Sequence, residues 1–159
     1  MAIRTAVVPV SEIFPLRWEV LRPGLPRESA VFAEDGLDGA FHVAAYDGEG
    51  AAVLGCGSFY PEPYPGAPGE EREGGGGAGP AAYRIRGMAS APAARGRGYG
   101  TAVLRAGEDA AAARGARLMW CNGRTEARGF YERHGYEAAG EEFVIEGVGP
   151  HHVFVRTLP

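Results

Sequence analysis

The segment Arg95-Gly96-Arg97-Gly98-Tyr99-Gly100 constrains this chain more than any other. It follows a strand-like run, Tyr83 to Ser90, closed by Pro92. It opens a helical pattern to about Arg114, with Tyr99, Ala102, Val103, Ala106, Ala110 and Ala113 at i, i+3, i+4, i+7 spacing. That order puts the turn at a helix N-terminus, where N–H groups lack partners and the helix carries a partial positive charge. Glycines remove the β-carbons that would hold an anion off the backbone. Arg95 and Arg97 add charge in a side chain suited to phosphate. Together these features describe a phosphate cradle.

Composition narrows the kind of cradle. All sixteen basic residues are arginine, so the Gly-Lys-Ser/Thr of a nucleotide P-loop is missing, as is any Schiff-base lysine. In the Rossmann fingerprint the last glycine is spaced differently from Gly96-x-Gly98-x-Gly100, and here the turn lies past the middle of the chain. A net charge of −4 argues against a general nucleic-acid binder. The chain has no signal-peptide pattern and no apolar run long enough to span a membrane, so no membrane partner and a cytoplasmic location are expected. Cys56 and Cys121 read as buried thiols rather than a disulfide.

The remaining pattern predicts one domain over 1–159. Residues 2–10 read as a strand, and Ser11 caps a helix carrying Leu16, Val20 and Leu21 that stops at Pro23-Gly24. A second short helix is predicted near 27–34. Phe41 to Tyr46 and Ala51 to Tyr60 read as a hairpin about Asp47-Gly48. The Pro- and Gly-rich stretch 61–80 buries too little apolar surface to offset its ordering entropy and reads as a flexible loop. In Tyr83 to Ser90, simple alternation puts Tyr83, Ile85 and Gly87 on one face and Arg84, Arg86 and Met88 on the other. Leu118 to Cys121 is an apolar strand, as in a sheet covered on both faces. Thr125 to His134 reads as a helix ended by Gly135. Tyr136 to Ile145 and Val153 to Leu158 read as a closing antiparallel pair joined through Gly147, Gly149 and Pro150. The class is α/β or α+β.

Two motifs then carry a resemblance. Arg95-x-x-Gly98-x-Gly100 is similar to the acetyl-CoA signature Arg/Gln-x-x-Gly-x-Gly/Ala of the GNAT acetyltransferases. Ala127-Arg128-Gly129-Phe130-Tyr131-Glu132-Arg133-His134-Gly135-Tyr136 resembles the family pattern Ala-x-x-Phe-Tyr-x-x-x-Gly-Phe, with Tyr136 as the final aromatic. The two stand in the family's order and separation, and the likeness covers residues 83–158. It implies a central mixed sheet of six to seven strands, flanked by helices, whose two parallel strands splay apart. It also implies acetyl-CoA as cosubstrate, held by Arg95, Gly96, Arg97, Gly98, Tyr99, Gly100 and Thr101, and by the backbone of Met88, Ala89 and Ser90. A backbone N–H of that strand would polarise the thioester carbonyl. Phe130 is expected as a core anchor beside the cofactor. Tyr131 would give a proton to the departing thiolate, or else only order the pantetheine arm. Many members have Asn three residues before the motif's Ala; here Arg124 stands there. Asn122 is a substitute contact to pantetheine or substrate, against a simple turn or capping role.

The implied activity is transfer of an acetyl group to a primary amine, by direct attack on the thioester and with a small molecule as acceptor. The alternative is a module of the same fold that binds CoA as a sensor without turnover. Attack needs a neutral amine and hence a base. Glu141, Glu142, Glu146, His151 and His152 are candidates, with Glu146 and His152 ranked first because a strand-end acid and an imidazole can share a proton path. His42 reads as packed or on the surface, and His134 as complementing a helix end. Arg17, Trp18 and Arg22 could meet an anionic or aromatic acceptor, although solvated arginines and a buried Trp are the preferred reading. The His151-His152 pair lacks zinc-site spacing relative to Cys121 and Glu146, so no metal is expected. Analogy leaves a homodimer open.

Overall fold

The computed structural model describes residues 2–65 and 81–159. Its strands are β1 (Ile3–Val8), β2 (Phe41–Asp47), β3 (Gly55–Pro61), β4 (Ala82–Ser90), β5 (Leu118–Arg124), β6 (Glu137–Ile145) and β7 (Gly149–Thr157). They form one sheet in the order β1-β2-β3-β4-β5-β7-β6. The helices are α1 (Val10–Leu21), α2 (Tyr99–Ala113) and α3 (Arg128–Arg133), with single 3₁₀ turns at Arg27–Ala30, Ala33–Gly36, Pro92–Ala94 and Thr125–Ala127. The mixed α/β class with a central sheet is therefore as read from the sequence. The proline-glycine stretch 66–80 lies outside the described residues.

Among the described residues only β4 and β5 pair in parallel; the other neighbouring strands are antiparallel. Their register runs through Ala82–Leu118, Tyr83–Met119 and Arg84–Trp120 and stops there. Both strands continue, to Ser90 and Arg124, without pairing to each other. A bulge sits just past this point. Cys56 faces Ala89 and Ser58 faces Arg86, so Gly57 is opposed by both Gly87 and Met88. Gly87 takes φ +71°, which a side chain would resist. The extra residue overturns the simple alternation: Met88 packs in the same cluster as Tyr83 and Ile85, and Ala89 turns to the α1 face.

Two apolar layers hold the sheet. On one face Val103, Leu104 and Ala111 of α2 meet Phe59, Ile85 and Phe154. Gly107 lets α2 lie this close, because a β-carbon there would overlap the Phe59 ring. On the other face Ile13 and Leu16 of α1 cover Ala44, Cys56 and Ala89.

Several boundaries differ from the sequence reading. α1 starts at Val10 after an extended Pro9, with no side-chain cap, so Ser11 lies inside the helix. Residues 27–36 form two separate 3₁₀ turns rather than one helix. β3 starts at Gly55, because residues 48–54 are used in the connection. β7 starts at Gly149, which places His151 and His152 in a strand rather than beside a turn. Arg17 is not solvated but fully buried: it donates to Asp35, to Ala30 O and to Ser58 Oγ. Trp18, expected to be buried, is half-buried and donates to Leu25 O. His42 is buried, 2.8 Å from Ser58 Oγ. Both cysteines are free and buried.

Candidate active site

The gap between β4 and β5 opens into a cavity of about 470 Å³. Its walls come from both faces of the sheet. Gly100, Phe130 and Tyr131 line it on the α2–α3 side; Arg22, Phe32 and His151 line it on the α1 side. A volume of this size suits a small-molecule site.

The glycine-rich turn reaches the cavity wall at Gly100, while Arg95 to Tyr99 stand outside the lining. Gly96 and Gly98 take φ +79° and +97°, and Gly98 is the residue that precedes α2. Among the described residues, the first amide on this tip to find a backbone acceptor is that of Ala102, which donates to Gly98 O at 3.0 Å. The amides from Gly96 to Thr101 are left at the end of a fifteen-residue helix with no acidic residue in its first turn. Arg95, Gly96, Arg97 and Gly98 are exposed, and a β-carbon on Gly96 would meet nothing within 4 Å. Bare amides, open approach and two guanidinium groups fit a diphosphate. Tyr99 differs in role: it is buried and packs under Gly55. Ser90 Oγ and the Phe130 ring both approach Gly100, within 4.0 and 3.6 Å of where its β-carbon would stand. Thr101 Oγ1 lies 3.0 Å from His134 Nε2, which ties α3 to the first turn of α2. Burial, with Arg105 and Arg133 nearby, lowers the His134 pKa.

Tyr131 is buried in the cavity wall. Its ring stacks on Phe154 at 5.0 Å and meets the edges of Phe130 and Tyr136. Its phenol lies beside the Cys121 thiol. Burial raises the Tyr131 pKa well above 10, and Cys121 adds to the shift. Burial also pushes the Cys121 thiol up to about 12. Both groups therefore keep their protons at neutral pH. Gly123 admits this packing: a β-carbon there would stand 2.8 Å from Phe154 and 3.0 Å from Tyr131.

The five candidate bases divide. His151 is buried and lines the cavity. Its Nδ1 lies 2.8 Å from Gly149 O, an acceptor only, so Nδ1 carries the proton and Nε2 the lone pair. His152 points to the α3 side, with Phe154, and its Nδ1 lies 3.1 Å from Thr125 Oγ1. Thr125 in turn donates to Glu142 at 2.9 Å. Glu141, Glu142 and Glu146 are exposed and outside the cavity lining; Glu146 sits at the tip of the β6–β7 turn, between the lining residues Ile145 and Val148. Asn122 and Arg124, on the last turnless stretch of β5, both line the cavity. Sequence reasoning gave no site role to Phe32, and it named Arg124 only as a departure from a pattern. Their nearness to the gap depends on contacts far along the chain, which local pattern does not encode.

The sequence model of the Acetyltransferase (GNAT) family matches residues 10–136. An uncharacterized N-acetyltransferase, YitI, of Bacillus subtilis (strain 168) is 31% identical over 152 residues, covering 95% of this chain and 93% of that protein. The fold is similar to the crystal structure of Escherichia coli ElaA, with a TM-score of 0.73 at 13% identity over 98% of this chain and 99% of that one. It is also similar to an acyl-CoA N-acyltransferase from Pseudomonas aeruginosa, with a TM-score of 0.70 at 18% identity over 98% and 100%.

Proposed function

This chain belongs to the GNAT acetyltransferase family, and on that premise we propose that it moves an acetyl group from acetyl-CoA to a primary amine of a small molecule. The observation that carries the proposal is the parting of β4 and β5 around a cavity with a bare helix tip on one side and a buried Tyr–Cys pair in its wall. The family generally uses acetyl-CoA, which when bound supplies an acyl group activated as a thioester.

Each residue then has a task. Amides from Gly96 to Thr101, with Arg95 and Arg97, hold the diphosphate. The unpaired edge of β4 at Met88, Ala89 and Ser90 offers backbone donors and acceptors to the pantetheine arm, and Asn122 faces the same gap from β5. Phe130 covers the arm from α3. Tyr131 stays a neutral phenol, so its O–H is available as a donor where the thiol leaves. His151 Nε2, held in its basic tautomer by Gly149 O, accepts a proton from the acceptor amine. His151 takes precedence here over Glu146 and His152 because it alone of the three lines the cavity. Both thiols are buried and held protonated, and the hydroxyl–imidazole pairs Ser58–His42, Thr101–His134 and Thr125–His152 stand outside the cavity lining, which favours direct transfer.

Acetyl-CoA should raise the melting temperature, because a ligand that binds only the native state must do so. Thiol release over a broad amine panel then tests turnover. His151→Gln should lower kcat at neutral pH by about 10²-fold or more, within the range for a general base, while acetyl-CoA still binds. Binding of acetyl-CoA without thiol release for any amine would leave the CoA-sensor reading in its place.

A further inference from the structure

Four guanidinium groups face this cavity from the α1 side of the sheet, those of Arg22, Arg84, Arg86 and Arg124. Two of them are answered. Arg86 meets Glu34 at 2.8 Å, and Arg84 lies between Glu34 at 3.7 Å and Glu62 at 3.4 Å. The other two are not. Among the described residues no carboxylate lies within ion-pair reach of Arg22. Arg124 has only Glu126, at 3.8 Å, and those side chains are 52% and 80% exposed, so water screens the pair.

Arg22 is also fixed in place. Its Nε donates to Ser29 O at 3.1 Å and its Nη1 to Leu21 O at 3.0 Å. Its guanidinium lies 5.7 Å from the Phe32 ring centroid, and Arg86 stands over the same ring at 3.8 Å. Burial, then Arg86, Arg124 and Arg17, pull the Arg22 pKa down. Like charges are being held together by backbone carbonyls and an aromatic face.

We propose that the acceptor is a small amine that also bears an oxyanion, a carboxylate or a phosphate, seated between Arg22 and Arg124 on the α1 side of the cavity. The proposal rests on the transferase reading above and gives that site its substrate class. An oxyanion accepts from a guanidinium through paired N–H groups, and it relieves the repulsion between the two arginines. The same field repels a simple alkylammonium or a polyamine. It also favours the uncharged form of an amine tethered to the bound anion, which is the form that attacks. His151, on the same wall, is then beside the amine rather than the anion.

The test uses matched amines that differ only in the acid group: β-alanine against propylamine, and phosphoethanolamine against ethanolamine. Binding is read first, by calorimetry on the full-length protein saturated with CoA, and turnover second, by thiol release. At least one amine bearing an acid group should bind tenfold or more tighter than its partner without one, and the pair that discriminates tells carboxylate from phosphate. Arg22→Gln and Arg124→Gln should each remove about tenfold of that preference, through KM rather than kcat, with acetyl-CoA affinity unchanged. Arg117→Gln, at the opposite end of β5, controls for net charge and should leave the preference intact. Equal binding within both pairs, no binding by any of the four, or a preference that survives both variants overturns the proposal. Tight binding of the anionic amine without thiol release would instead overturn the transferase reading and leave the oxyanion site standing.

Discussion

Arg17 and Asp35 form a two-pronged pair under the sheet, Nη1 to Oδ2 at 2.8 Å and Nη2 to Oδ1 at 3.1 Å. Tyr60 donates to the same carboxylate, and Ser58 Oγ joins Arg17 to His42. The Arg17 side chain is wholly buried and that of Asp35 nearly so. Removing one partner therefore leaves a charge with no solvent. Asp35→Ala should lower stability by about 3–5 kcal/mol, read as a lower urea midpoint at unchanged slope. A loss under about 1 kcal/mol would mean that water reaches Arg17.

The same cluster sets how stability responds to acid. Burial alone would raise the Asp35 pKa, but hydrogen bonds from Arg17 and Tyr60 outweigh it and hold it below the ordinary carboxylate value. Burial lowers the His42 pKa as well. In both cases the unfolded chain takes up the proton first, so stability falls as pH falls. The loss should begin below about pH 6.5, where an unfolded imidazole titrates. It should deepen below about pH 3.9, as the pH moves through the depressed Asp35 value. Urea midpoints from pH 8 to 3 check this, and His42→Gln should remove part of the upper step only.

Tyr131→Phe keeps the ring that stacks on Phe154 and deletes one proton donor. If that O–H serves the leaving thiol, kcat should drop by about 10²-fold or more, within the range for general acid–base groups. Acetyl-CoA affinity should stay within about threefold. A variant as active as the wild type would assign Tyr131 to packing alone.

The order of elements along the chain was legible because each carries a local signal: the strand-like run Phe41 to Tyr46, the i, i+3, i+4 stripe of α2, Gly115 after α2 and Gly135 after α3. The helix tip was legible because its glycines and arginines are contiguous. The buried arginine was not, since the partners of Arg17 lie eighteen and forty-one residues away. Nor was the face of Met88, which depends on one extra residue opposite Gly57. The two histidines show the same limit. Reading Gly149-Pro150 as turn left the parity of His151 and His152 undetermined, and a one-residue change of register exchanges the faces. With β7 starting at Gly149, His151 faces the cavity and His152 faces Thr125.

Two glycines at opposite ends of α2 separate folding from binding at the glycine-rich turn. Gly98 has φ +97° and precedes the helix; Gly115 has φ +96° and follows it. A β-carbon at Gly115 would meet nothing within 4 Å, and one at Gly98 would make only ordinary contact with Ile3, so strain rather than clash decides the cost. Alanine should then destabilise the protein by about 1–2 kcal/mol at either site. The functional outcomes should diverge. At Gly98 the methyl group and the relaxed backbone both disturb the fan of amides at the helix tip, so acetyl-CoA affinity should fall by about tenfold, the effect of losing one charge-assisted hydrogen bond. Gly115→Ala should bind acetyl-CoA as the wild type does. Calorimetry on both variants at a temperature where each is folded gives the comparison, and equal affinities would remove the turn from the binding site.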